Sequence, residues 1–241
     1  MDFIQGEKFI DLADGKNIFY CHTHDIVSFL KSMETHPPYI LITHNSDKCV
    51  DLHVPNNIIK WYAQNVNIVD PKIQSLPIGL ENNEWSNKQH KFDVMFNTMQ
   101  NDNSIINFAY LNHNVSTNPE RVKLYQIFEN KPWVTAKRGK NGKGFIEYIH
   151  DIKHHLFTFC PEGNGIDTHR TWEVLCMGRI PIEKRNINNQ YYTDLPICFV
   201  NDWEEVTLEF LSKELERIKT GNWNWGKLTF EYWKNKILNN E

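Results

Sequence analysis

Short apolar runs alternate along this chain with stretches whose apolar residues recur at helical spacing. Ile18–His22 and Tyr39–His44 are β-branched or aromatic runs and read as buried strands. Residues 25–33 between them have a helical period, with Asp25 as candidate N-cap. Residues 57–64 read as a second helix and 66–69 as a third, short strand. This β-α-β-α-β opening predicts a parallel sheet. The polar, turn-rich stretch 77–88 predicts a boundary between two domains, 1–88 and 89–241.

A second alternating series follows. A strand is expected over 105–111. Asn118 then caps a helix with Pro119 at its first position. Further strands are expected over 133–136, 156–160, 180–182 and 197–200, with helices over 145–152 and 167–177 and a basic, glycine-rich loop over 138–144. Asp202-Trp203-Glu204-Glu205 has the form of a capping box for an amphipathic helix reaching about Lys219, and an aromatic-rich helix runs from Leu228 to about Leu238. The expected class is α/β, with two Rossmann-like domains and a cleft between them. Ligands in such sheets sit beyond the carboxyl ends of the strands.

Composition narrows the function. The 241 residues include 8 Trp, 9 Tyr and 14 Phe, enough aromatic bulk for a real core. Lys and Arg number 26 against 30 Asp and Glu, a net charge of −4, so no nucleic-acid partner is expected. The mean hydropathy is −0.56 and no apolar run approaches ~18 residues, so no membrane span is expected. The first residues lack a basic segment followed by an apolar one, and no signal peptide is expected. Cys21, Cys49, Cys160, Cys176 and Cys198 are scattered without a C-x-x-C pair, which reads as reduced thiols in the cytoplasm.

The chemistry concentrates in 156–182. A buried strand ends at Cys160-Pro161-Glu162-Gly163-Asn164-Gly165, and the loop runs into a helix that opens with His169-Arg170. Glycines Gly163 and Gly165 allow close backbone approach, and a helix start favours an anion. Arg170 and Glu173, three apart, share a helix face. A guanidinium there can grip a diphosphate, and a carboxylate one turn on can accept from a ribose diol. The same two residues could equally form a surface ion pair worth ~0.2–0.5 kcal/mol. Ser116-Thr117-Asn118-Pro119-Glu120-Arg121 is a second loop entering a helix. Read alone, it is ordinary capping.

The run from Cys160 to Ile182 resembles the signature of exostosin-like glycosyltransferases, especially their compact forms in large DNA viruses and some microbes. The matching features are the Pro-x-Gly-x-Gly loop, Asp167, His169-Arg170, Trp172-Glu173, Gly178 and Ile180-Pro181-Ile182. The similarity extends from about Ile18 to Trp233, through 39–47, 60–65, 77–82, Ser116-Thr117-Asn118 with Arg121, Leu195-Pro196-Ile197 and Asp202-Trp203. Glu162 departs from the pattern, which often has a basic residue there.

The resemblance implies a GT-B fold with an acceptor-binding first half, a donor-binding second half and a C-terminal helix packing back. It implies transfer of a sugar from a nucleoside diphosphate, UDP for example, to a glycan acceptor, with inversion. If the chain is viral, the host cytoplasm is the expected location. In a donor half of that kind, Ser116, Thr117, Asn118, Arg121, Gly163, Asn164, Gly165, His169, Arg170 and Glu173 would face the donor.

No Asp-x-Asp motif for a divalent ion occurs in the chain. The expectation is therefore no metal and no cofactor. Helix starts with Arg121, Arg170 and Arg138 would neutralise the diphosphate. An inverting transfer needs a group that takes the acceptor's proton. The end of 39–44 is the place for it, with Asp47 first, His44 second and Asp25 third; capping a turn is the ordinary alternative for Asp47. His22-x-His24 and His154-His155 have no third ligand and read as packed or solvated histidines. Two rival classes stand beside the transferase. A nucleotide-using phosphotransferase needs a metal-binding carboxylate set that the sequence lacks. A non-catalytic nucleotide-sugar or glycan-binding protein on the same fold would bind donor without turnover.

Overall fold

A computed structural model describes residues 2–82, 89–100, 104–138 and 144–240, and the side chains of these except 89–93. The first half builds a four-stranded parallel sheet. Its elements are β1 (Ile18–His22), α1 (Ile26–Ser32), β2 (Tyr39–His44), β3 (Ile58–Ala63) and β4 (Ile73–Ser75), in strand order β1-β2-β3-β4. Every pair is parallel, with Ile42 opposite both Tyr20 and Tyr62. All six residues of β2 are buried, as a central parallel strand requires.

The second half begins with α2 (Gln89–Gln100). It continues with β5 (Asn107–His113), α3 (Pro119–Phe128), β6 (Val134–Arg138), α4 (Phe145–Lys153), β7 (His155–Phe159), α5 (His169–Cys176), β8 (Ile180–Lys184), β9 (Cys198–Val200), α6 (Leu208–Thr220) and α7 (Phe230–Leu238). Its sheet is parallel with order β6-β5-β7-β8-β9. The chain builds β6 on one side of β5 and everything later on the other. Direction therefore reverses between β5 and β7, the kind of crevice in which open α/β sheets bind ligands. The four-stranded sheet progresses one way and has no such reversal.

Several expectations are corrected. Residues 57–64 are not a helix: Ile58–Ala63 is β3. Ile58, Trp61 and Tyr62 do have helical spacing, but β-branched and aromatic side chains suit a strand buried between two neighbours. Residues 66–69 are not a strand; Val66 makes only an isolated bridge to Val50, and the fourth strand lies at Ile73–Ser75. The capping box is real, with reciprocal bonds between Asp202 and Glu205, but it closes the short 3-10 turn Trp203–Glu205. α6 starts later, capped by Thr207. Helix α2 was not anticipated. Residues 83–88 of the expected boundary and 139–143 of the basic loop lie outside the described residues.

Asn118 caps α3 as expected, accepting from Glu120 N, with Pro119 first in the helix. Each sheet has its own apolar cluster, and a third cluster joins the halves. It includes Ile42 and Tyr62 from the first and Trp172, Leu175, Trp233 and Ile237 from the second. Helix α7 packs back on the first half: Phe230 lies against Phe9, and Tyr62 donates to the Lys236 carbonyl at 3.1 Å. Among the described residues no helix is long and apolar enough to cross a membrane.

Candidate functional site

The crevice between β5 and β7 is closed by the loops that follow those strands. Arg121, near the start of α3, rivets them together. Its Nε donates to Glu162 O at 2.8 Å, Nη1 to Asn114 O at 3.2 Å and Nη2 to Pro161 O at 3.4 Å. Asn118 adds a bond to Gly163 O at 3.3 Å. Ser116 and Thr117 fold back on Asn114 within their own turn. The glycines allow close packing. A Cβ on Gly163 would lie 2.8 Å from Arg121 Nη2, and one on Gly165 would lie 2.8 Å from Asn65 Nδ2. The Glu162 carboxylate turns away to accept from Asn186 Nδ2 at 3.0 Å. Among the described residues it leaves Arg121 without a carboxylate.

Arg170 and Glu173 do not form a surface pair. Glu173 is buried and accepts from the Tyr148 hydroxyl at 2.7 Å. The Arg170 guanidinium lies 4.9 Å from the Tyr148 ring centre, and its Nη1 is buried without a hydrogen-bond partner. Beside it stands His113, the last residue of β5. It is 1% exposed, and both ring nitrogens are without partners. Burial holds its pKa well below the ordinary value, and the Arg170 and Arg121 charges push the same way, so the ring is neutral. Burial also lowers the pKa of Arg121, and the Arg170 charge adds to the effect. Two guanidiniums and an imidazole thus converge where the sheet order reverses, with no partner for Arg170 Nη1 or for the His113 ring.

His113 was not singled out from sequence because the strand was expected to stop at residue 111. Two more residues of β5 carry it to the crevice. Arg138, at the end of β6, goes elsewhere. It pairs with Glu129 and covers the Tyr125 ring at 5.1 Å.

A second concavity of about 300 Å³ lies between the halves. Asn45, Asp47, Gln64, Glu81, Asn82 and His169 line it. Asn164 reaches across from the glycine loop to Asp47 Oδ2 at 3.3 Å. His169 Nδ1 lies 2.7 Å from Gly79 O. His44 is absent from this wall: it is fully buried, with Nε2 3.0 Å from Pro77 O and Nδ1 2.8 Å from the Asn45 amide. Burial pushes its pKa down to about 4. Both nitrogens are occupied, so His44 pins the loop that carries Asp47. Asp25 lies in a different, open groove beside α1, next to His24.

A buried polar seam locks the two halves around these sites. Asp167 accepts from Ile78 N at 2.7 Å and Trp172 Nε1 at 2.9 Å, and burial pushes its pKa up to about 6. Asn188 accepts from Val66 N at 2.9 Å and Ser75 Oγ at 2.7 Å. No sequence signal marked Asn188 or Ser75, and Asn65 stood out only as the end of the 60–65 stretch of the resemblance. Among the described residues no three His, Cys, Asp or Glu side chains gather as metal ligands would.

No model of a known protein family matches this chain, and a comparison with curated proteins finds no match.

Proposed function

We propose that this protein transfers a sugar from a nucleoside-diphosphate sugar, UDP-linked, to a hydroxyl of a glycan acceptor. The frame is GT-B-like, with the donor in the five-stranded half and the acceptor in the cleft against the four-stranded half. One observation carries this reading: Arg170 Nη1 is buried and unpartnered beside Arg121 and His113, at the reversal of strand order. A buried N–H group without a partner costs about 1–3 kcal/mol, and a bound anion removes that cost. A diphosphate suits the place because α3 and α5 both begin there, and helix starts add partial positive charge. The resemblance of 160–182 to exostosin-like glycosyltransferases supports a nucleotide sugar as the anion's bearer.

The acceptor oxygen attacks the anomeric carbon as the bond to the diphosphate oxygen breaks. Charge develops on the departing diphosphate, and fixed donors aimed at developing charge contribute most to such a step. Arg170, His113 and the helix starts supply them, held in place by the bonds from Arg121. Arg121 and Arg170 take the part that a divalent ion plays elsewhere, so turnover is independent of metal. Attack from the face opposite the diphosphate inverts the anomeric centre. The cleft is lined by the polar side chains of Asn45, Asp47, Glu81 and Asn82, a surface suited to sugar hydroxyls.

Calorimetry with UDP in EDTA tests the reading. Wild type binds, and Arg170→Ala, which loses a charge-assisted contact of roughly 1.5–3 kcal/mol, binds at least ~10-fold more weakly. Equal affinity in the two, or transfer that stops in EDTA and returns with magnesium or manganese, overturns it.

A further inference from the structure

We propose that His169 Nε2 is the group that takes the acceptor hydroxyl's proton, an inference that rests on the transferase reading above. Gly79 O can only accept a hydrogen bond, so the 2.7 Å contact requires a proton on His169 Nδ1. In the neutral ring, Nε2 then carries a lone pair. The ring lines the cleft between the halves, and the Gly79 bond fixes both its orientation and its tautomer. This is how a base is held by a third group in nucleophile–base arrangements.

The other candidates are less well placed. His44 has both nitrogens engaged inside the core, and Asp25 lies outside the cleft. Asp47 is exposed on a loop, and its Oδ2 takes the Asn164 amide. His169 also precedes Arg170 in the first turn of α5, and successive residues of a helix point about 100° apart. One turn of helix thus presents a proton acceptor to the cleft and a cation to the diphosphate crevice. In the step, the acceptor O–H proton passes to Nε2 and the oxygen bonds the anomeric carbon. The electron pair of the breaking C–O bond leaves with the diphosphate. Imidazolium and leaving diphosphate form together, and Asp47 and Glu81 line the same cleft.

The test uses the whole chain, with UDP as binding probe. Turnover is UDP release from UDP-glucose, UDP-galactose, UDP-xylose and UDP-N-acetylglucosamine, with water as the acceptor. His169→Asn keeps an amide N–H in the place of Nδ1, so it can still donate to Gly79 O, but it cannot take a proton. It should bind UDP within ~3-fold of wild type and release product at least ~100-fold more slowly. Free imidazole should restore His169→Ala by ~10-fold or more while leaving Asp47→Asn unaided. Release by His169→Asn within ~10-fold of wild type overturns the inference and leaves the donor reading standing. A wild type that binds no UDP overturns the donor reading itself. Nitrogen-15 NMR of the unmodified protein gives an arm that depends on no variant: a proton on His169 Nε2 rather than Nδ1 removes the base.

Discussion

The side-chain oxygen of Asn65 accepts the backbone N–H of Asp167 at 2.9 Å, across 102 residues of sequence. The other end of the same amide donates to Ser46 O at 3.0 Å. Asn65 thus links the loop that carries Asp47 to the loop that leads into His169 and Arg170. It does so from a left-handed backbone, φ 57°, that asparagine tolerates better than most residues.

Replacing Asn65 with Ala should therefore destabilise strongly. The buried Asp167 N–H loses its partner, at ~1–3 kcal/mol, the half-buried Ser46 carbonyl loses another at less cost, and Ala is strained at this φ. Equilibrium urea denaturation should show a loss of about 2–4 kcal/mol. A loss under 1 kcal/mol would mean that the seam does not hold the halves.

The pH dependence of stability should show two opposed contributions. The Asp167 carboxyl is raised from 3.8 to about 6, so the native state binds more protons than the unfolded chain in that window. Its contribution is fully present below pH 4 and is lost as pH rises through 6. His44 is lowered from 6.5 to about 4, so its contribution is present above 6.5 and is lost as pH falls through 4. Asp167→Asn keeps an oxygen that can accept from Ile78 and Trp172 but removes the titration. Denaturation midpoints between pH 4 and 6 should then rise more steeply with pH than in wild type. An unchanged slope would show that Asp167 is ionised throughout.

Arg170→Met separates a ligand site from a structural one. Its guanidinium leaves one buried N–H group unpartnered, and an apolar replacement removes that cost while taking a positive charge away from Glu173. Without nucleotide the two effects oppose each other and the variant should melt near the wild-type temperature, while UDP loses its stabilising shift. A variant that melts far below wild type would place Arg170 in the structural framework.

Gly163→Ala tests the rivet between the two loops. The new Cβ meets Arg121 Nη2 at 2.8 Å, and three carbonyl bonds keep that guanidinium from yielding. A loss of about 1–2 kcal/mol in denaturation is expected, in the range of overpacked cores, together with weaker UDP binding. Full affinity and stability would mean that the loop moves freely.

Much of the second half was legible because its signals are local. Asn118-Pro119 caps and opens α3 through atoms two residues apart, and apolar runs mark β5, β7 and β8 within a residue or two. The first half was legible where β1 and β2 carry unbroken apolar runs. It failed at β3, where Lys60 among apolar residues imitates a helical period, and only pairing with β2 and β4 makes the segment a strand. Among the site residues, Arg170 and the glycine loop could be found from their order in the chain. His113 could not, since its importance comes from the two arginines beside it.

By itself the sequence determined the α/β class, the parallel pairing, the cap of α3 and the segment that carries the crevice. Each follows from hydrophobic period or hydrogen bonds made within a few residues. Only the tertiary structure decided the strand order β6-β5-β7-β8-β9 and hence where direction reverses. It also decided that Arg170 Nη1 is enclosed and without a hydrogen-bond partner among the described residues, that His44 faces inward and that His169 lines the cleft. Burial and partner choice are set by groups distant in the chain, such as Gly79 for His169 and Pro77 for His44. No local pattern encodes them, because a side chain's charge state and orientation depend on what the fold packs against it.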